Sequence, residues 1–311
     1  MRAVLNALTE ELRRLKSAGV RTVAVSDEGV VALRNAVTRR AGSSPRAAIV
    51  GRGAGVTEES PAANVVADSF RTPPSAVRIS AEAPVAAALP PPVIALPAGD
   101  KAARWAALRE LVLNHPVCRA HMRPGKKVVI GVGSLDAQIM FVGEAPGADE
   151  EIQGEPFVGP AGQLLTKMIQ GMGLRREEVY IGNIMNWRPQ TATTAGAEQV
   201  GNRPPTAAEL AFCLPFLRAQ IEVVNPALLV ALGKTALDGL LGAGRFKTLG
   251  EARGRWHEFE GKPVMVTYHP SYILREPTPR KKRLIWEDLL KVMERAALPI
   301  SEKQRGYFLE R

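Results

Sequence analysis

Ala137-Gln138-Ile139-Met140-Phe141-Val142 runs directly into Gly143-Glu144-Ala145-Pro146-Gly147, and this junction decides the fold. A short, nearly all-apolar run ended by a Gly/Pro turn is the pattern of a strand buried on both faces, as in a parallel sheet covered by helices. The pattern recurs. Apolar runs at 179–184, 227–232 and 263–268 alternate with helical periodicity at 161–171, 206–224 and 235–241. Further helices are expected at 102–113 and 280–296. Strands alternating with helices predict βαβ units, and here a three-layer α/β/α sandwich around a central, mainly parallel four-stranded sheet.

In open sheets of this class, ligands gather beyond the carboxyl ends of the strands. The residues just past those ends are Glu144, Asn183, Gly233 and His269, and three of the four can do polar chemistry. Each alone reads equally as a turn cap, a loop anchor or a satisfied core histidine. All three at strand exits, beside Gly- and Pro-rich turns, point to a site. Gly154-Glu155-Pro156-Phe157-Val158-Gly159 adds an aromatic ring and glycines that let backbone approach a flat polar ligand. His269-Pro270-Ser271-Tyr272-Ile273-Leu274-Arg275 adds a histidine, a rigid turn, an apolar tip and a cation. Together they suggest an enzyme acting on a nucleobase.

Composition narrows the partners. The chain has 311 residues, 46% of them hydrophobic, with a net charge of +10 and a sequence pI near 9.9. A basic surface of this size favours a polyanion, nucleic acid above all. Two distant cysteines, Cys118 and Cys213, argue against a disulfide framework and fit a reducing, cytoplasmic setting. No apolar stretch reaches membrane-spanning length, so no membrane partner is expected. The first residues read as a short amphipathic helix (8–15) rather than a leader peptide. The expected organisation is a helical segment at residues 1–40, a flexible linker rich in Pro and Ala at 41–99, a folded domain at 100–298 and a tail at 299–311.

Two motifs lead nowhere. Gly233-Lys234-Thr235 has the ending of a phosphate-binding loop, but Leu228 stands where that loop requires glycine. Gly131-Val132-Gly133 lacks the third glycine of a dinucleotide-binding turn.

The segments 142–162, 179–189, 201–205 and 269–275 closely resemble the family 4 uracil-DNA glycosylases. That resemblance rests on Gly143-Glu144-Ala145-Pro146-Gly147, on Pro156-Phe157-Val158-Gly159 followed by Ala161-Gly162-Gln163-Leu164-Leu165, on Asn183 ahead of Arg188-Pro189, on Asn202-Arg203-Pro204, and on the His269–Arg275 run. It covers about 116–295 in the family's order, and several long motifs are far more specific than one short pattern. The resemblance implies that the domain at 100–298 hydrolyses the N-glycosidic bond of uracil flipped out of single- or double-stranded DNA, starting base excision repair as a monomer. A non-catalytic protein of the same fold that binds uracil or single-stranded DNA is the alternative. A hydrolase of small metabolites would show no affinity for DNA.

By the same resemblance, Phe157 stacks on the flipped base, Asn183 reads its O4 and N3–H edge, and backbone near Ala145 contacts a uracil carbonyl. His269 faces O2, where negative charge gathers as the bond breaks. A related family carries aspartate at the position of Ala145, so the water must be oriented by Glu144 or Glu150. Glu150 has a second expected use, excluding the thymine methyl. Ser271 and nearby amides are expected at a DNA phosphate, Ile273 or Leu274 as the wedge filling the gap, and Arg275 on the backbone. Arg280-Lys281-Lys282-Arg283 would add salt-sensitive affinity or form a solvated helix start.

The chain departs from the family in two places. Family members hold an iron–sulfur cluster on four cysteines, and the matching positions here are Cys118, His121, Trp187 and Cys213. Tryptophan cannot ligate iron, so no cluster is expected; a mixed site on Cys118, His121 and Cys213 is the competing idea and lacks a fourth ligand. An insertion at 190–200 contains no histidine, which speaks against the covalent trapping seen in some relatives.

Overall fold

The computed structural model describes residues 90–191, 193 and 198–309. The helix expected at 8–15 and the linker up to residue 89 lie outside them. In chain order the elements are α1 (Lys101–Asn114), α2 (Pro116–Ala120), β1 (Val132–Gly133), β2 (Ile139–Gly143), α3 (Ala148–Gln153), α4 (Pro160–Gly171) and, after a 3₁₀ turn, β3 (Tyr180–Asn183). There follow α5 (Ala207–Val224), β4 (Leu228–Leu232), α6 (Lys234–Leu241), α7 (Leu249–Ala252), β5 (Trp256–Phe259), β6 (Lys262–Thr267), α8 (Ser271–Arg275), α9 (Pro279–Arg295) and α10 (Glu302–Arg305).

The sheet has six strands in the order β1-β3-β2-β4-β6-β5. The central four, β3, β2, β4 and β6, are parallel, and the two edges pair antiparallel. Helices on both faces make the expected α/β/α sandwich, with the two edge strands as additions. β5 is joined to β6 by a hairpin whose turn residues Glu260 and Gly261 both have positive φ, 50° and 77°. Such turns match the twist of the flanking strands.

Strand periodicity divides the core. Ile139 and Phe141 of β2 face one layer with Leu165 and Ile169 of α4 and Trp286 and Leu289 of α9. Met140 and Val142 face the other with Leu217 and Ile221 of α5 and Leu237 and Leu240 of α6. Alternate residues point to opposite faces, which is why an unbroken apolar run was needed. Each such side chain contributes about 1.5–3 kcal/mol on burial. α5 starts at a capping box between Thr206 and Glu209 and stops at Asn225, which takes φ 51°; α9 starts at the Thr278 cap with Pro279 in its first turn. These caps satisfy amides that the helix leaves open.

The boundaries differ from those expected. Ile94 and Leu96 already pack on the domain, under α1. The segment read as a tail is docked: Trp286 Nε1 donates to the Gln304 carbonyl at 2.6 Å, Gln304 Nε2 to the Gly171 carbonyl at 2.9 Å, and Tyr307 packs on the core. Its helix is four residues long, too short to leave a periodic signal.

Candidate active site

The parallel register brings Gly143, Asn183, Leu232 and Thr267 to one rim of the sheet. Beyond that rim lies a cavity of about 770 Å³ lined by Glu144, Ala145, Glu150, Phe157, Asn183, Thr235, His269, Ser271 and Arg275, among others. Asn183 and His269, far apart in the chain, therefore face one space.

Asn183 ends β3, is 5% exposed, and its Oδ1 is buried with no hydrogen-bond partner. A buried polar atom in that condition is costly.

Phe157 adopts φ 54°, a left-handed conformation that costs a bulky residue about 1–3 kcal/mol. The neighbours enforce it. A Cβ on Gly162 would lie 1.8 Å from the Phe157 carbonyl oxygen, and one on Gly143 would lie 2.4 Å from both Phe157 Cζ and Asn183 Oδ1. Those two glycines let the ring and the carboxamide close on one another.

His269 follows β6. The Ser271 backbone N–H, which can only donate, reaches His269 Nδ1 at 3.2 Å, and Ser271 Oγ lies 2.9 Å from the same nitrogen. Nδ1 is thus the acceptor and Nε2 carries the proton. Burial, helped by the nearby Arg275 charge, pulls the imidazole down from 6.5 to about 4, so at neutral pH the ring is an uncharged N–H donor. Its ring lies 5.5 Å from that of Phe157. The supporting loop is braced by a Tyr268–Tyr272 stack at 4.3 Å, with Arg253 over Tyr268 at 5.3 Å and Lys281 over Tyr272 at 4.6 Å. Arg253 is held in turn by buried Asp288, which also accepts from Thr267 at 2.6 Å.

The two carboxylates part company. Glu144 Oε2 accepts a 2.5 Å hydrogen bond from Thr235 Oγ1 at the start of α6. Glu150 uses both oxygens on backbone: Gly147 N–H at 3.0 Å, Val158 N–H at 3.0 Å and Gly159 N–H at 2.9 Å. A carboxylate bound to three backbone amides braces the cavity wall that it lines.

Three expectations change. Ser271, expected at a phosphate, is spent on His269. Ile273 is 5% exposed and belongs to the core, so it cannot wedge; Leu274 is 46% exposed. In the basic run, Lys281 is tied to Tyr272 and Glu276, and Arg283 to Glu287 and the carbonyls of Arg305 and Tyr307. Arg280 remains exposed.

Asn202 also lines the cavity, and sequence reasoning passed over it. Its Oδ1 accepts from Arg188 Nε at 2.7 Å, while Arg188 is fixed by Glu151 at 2.9 Å and the Gly201 carbonyl at 2.7 Å. Its place beside Arg203 and Pro204 in a quoted motif was the available signal.

The positions that would carry an iron–sulfur cluster do not fit one. Cys118, Trp187 and Cys213 sit in an apolar cluster with Leu108, Met185, Phe212 and Phe216, and Trp187 stacks on His121 at 4.7 Å. The set offers two thiols, Cys118 and Cys213, whereas such clusters are held by four ligands, usually cysteine. Among the described residues no group of three or more His, Cys, Asp or Glu converges to hold a metal. The phosphate-loop lead also closes, because Lys234 Nζ pairs with Asp238 at 2.5 Å.

Comparison with known proteins agrees with this geometry. The model of the uracil DNA glycosylase superfamily matches residues 130–290. A type-4 uracil-DNA glycosylase of Thermotoga maritima is 42% identical over 183 residues, covering 58% of this chain and 89% of the relative. One from Archaeoglobus fulgidus is 42% identical over 160 residues, 50% of this chain and 75% of its own length. A type-5 enzyme of Pyrobaculum aerophilum is 31% identical over 169 residues, 53% and 73% of the two chains. With the strand exits, the cavity and these matches in agreement, the chain belongs to the uracil DNA glycosylase superfamily.

Proposed function

We propose that this chain is a monofunctional uracil-DNA glycosylase that hydrolyses the N-glycosidic bond of uracil turned out of DNA, and that it works without an iron–sulfur cluster. One observation carries the reading: Asn183, whose Oδ1 has no protein partner, and a neutral His269 ring line the same cavity beside Phe157.

The chemistry follows from those groups. Phe157 offers the flipped ring a face that recovers stacking lost on extrusion. Asn183 Oδ1 accepts from N3–H while its amide N–H₂ donates to O4. Cytosine reverses that pattern, leaving buried groups unpaired on both sides. The His269 Nε2–H donates to O2, where negative charge accumulates as the bond to the sugar breaks. The neutral ring keeps its proton on Nε2, because Nδ1 accepts from Ser271, and so presents that N–H to the developing charge. Glu144 orients the water that attacks the sugar carbon and offsets the positive charge on the sugar. Glu150 holds the wall in shape.

At the mouth, exposed Leu274 is the side chain available to fill the gap in a duplex, with Arg275 beside it for the backbone. Their exposure supports duplex DNA as a substrate. The misfit of Trp187, packed among apolar side chains, and the presence of only two cysteines support the cluster-free reading. Two buried, unpaired cysteines fit action in a reducing cytoplasm, and the proposal takes the protein as a monomer.

The test uses the full chain and a duplex with one uracil, followed by alkali. Wild type should yield strand scission and His269→Ala should lose most of it. Binding without scission in wild type would overturn the enzymatic reading.

A further inference from the structure

We propose that Thr235 is a positioning residue for Glu144, holding one carboxylate oxygen so that the other faces the attacking water. The proposal rests on the reading of Glu144 given above. Its starting point is the Gly233-Lys234-Thr235 run, which has the ending of a phosphate loop but Leu228 in place of that loop's glycine, and which lines the cavity.

The local fold explains the contact. Gly233 leaves β4 with φ 92°, a conformation open to glycine, and its N–H donates to the Thr267 carbonyl at 2.9 Å. A Cβ there would approach His269 Cβ at 3.1 Å. The start of α6 is thereby pinned against the strand that delivers His269. Lys234 and Thr235 then diverge. The Lys234 ammonium turns along its own helix to both oxygens of Asp238, at 2.5 and 2.6 Å. Thr235 Oγ1 reaches across 91 residues of sequence to Glu144 Oε2 at 2.5 Å.

The choice of partner matters. An ammonium on Glu144 would cancel the negative charge that the cationic sugar needs nearby, and it could bridge both oxygens. A hydroxyl has one proton to give. It fixes a single oxygen, leaves the charge in place and, on a β-branched side chain stiff at χ1, fixes its direction as well. Among the described residues Glu144 Oε1 has no donor, so it is the oxygen left for water. A carboxylate free to swing would orient water only part of the time, and misplacement on this scale is expensive in rate.

The experiment compares Thr235→Val, Thr235→Ser, Glu144→Gln and the Thr235→Val/Glu144→Gln double variant in the full chain. Excision is measured in single turnover. Binding is measured separately on DNA carrying 2′-fluoro-deoxyuridine, whose electron-withdrawing fluorine destabilises the cationic sugar and blocks cleavage. Thr235→Val should slow excision on the order of tenfold or more, the loss expected for one hydrogen bond to a charged group, with binding changed less than about twofold by the same reasoning. Thr235→Ser should restore most of the rate. In the Glu144→Gln background, Thr235→Val should add little, because both changes remove one unit. Full-rate Thr235→Val, parallel loss of binding and rate, or additive losses in the double variant would each overturn the proposal. Glu144→Gln at wild-type rate would instead remove the role given to Glu144 itself, and Thr235 with it.

Discussion

The cavity at the strand exits and the apolar cluster around Trp187 both contain buried polar atoms without partners, and the contrast between them separates a site from a packing compromise. Asn183, with its Oδ1 unpaired, lines an open cavity, and a strained Phe157 is held against it by two glycines. Trp187 Nε1 and Asn186 Oδ1 are orphaned within packed side chains, where Trp187 is flanked by His121 and Phe212. In the first region a ligand can repay the missing bond. In the second nothing can enter, and the large buried ring offsets the cost. An unpaired buried atom thus points to a ligand only where its residue lines a cavity. By this comparison the polar cavity lies at the strand exits and the region around Trp187 is packed as core.

The contrast can be broken at either side. The largest effect is expected at the core end: Trp187→Ala should cost about 3–5 kcal/mol of stability, read by urea unfolding, while excision below the unfolding temperature stays within a few-fold of wild type. Purified wild type should contain no iron and show no absorbance band near ~400 nm of the kind thiolate-bound iron gives. A stable Trp187→Ala, or a brown iron-containing protein, would place that region among the functional ones.

At the cavity end, His269→Ala should slow excision by about a hundredfold to a thousandfold, a loss of around 3–4 kcal/mol of transition-state stabilisation, with little change in folding. If stability and rate fell together, the two regions would not differ in kind.

The smallest effect sharpens the account through pH. As pH falls below 6.5 the unfolded chain takes up a proton at position 269 that the folded chain refuses until about pH 4. Between those limits this residue lowers stability as acidity rises, by up to ~1.4 kcal/mol per pH unit. The donor itself survives the same interval. The ratio of wild-type to His269→Ala excision rates should therefore hold steady through pH 6.5 and change only near pH 4, where a proton on Nδ1 breaks the hydrogen bonds from Ser271 that orient the ring. A ratio that collapses around pH 6.5 would mean an ordinary, solvated imidazole.

Much of this was legible in the sequence because parallel strands bury both faces and so announce themselves. Ile139–Gly143 and Leu228–Leu232 are buried at every position, and the three polar residues at strand exits follow from that placement. The edge strands were not legible. Val132–Gly133 is two residues long, and Trp256–Phe259 mixes polar and apolar side chains and owes its pairing to the turn at Glu260 and Gly261. In the site, what sequence could not supply was the partner of each group. Glu150 and Glu144 look alike in one short run, and only the fold gives one of them three amides and the other a threonine hydroxyl. Asn202 depends in the same way on Arg188 and Glu151. Ile273 and Leu274 are neighbours in a wedge-like tip until packing buries the first and leaves the second outside.

The central claim is that a carboxamide from one strand exit and an imidazole from another grip opposite edges of one flat base. A crystal structure of the protein soaked with free uracil tests it most directly. The account predicts uracil stacked on Phe157, with N3 about 2.9 Å from Asn183 Oδ1 and O2 at a similar distance from His269 Nε2. Uracil bound in any orientation that leaves either Asn183 Oδ1 or His269 Nε2 without the base would contradict it.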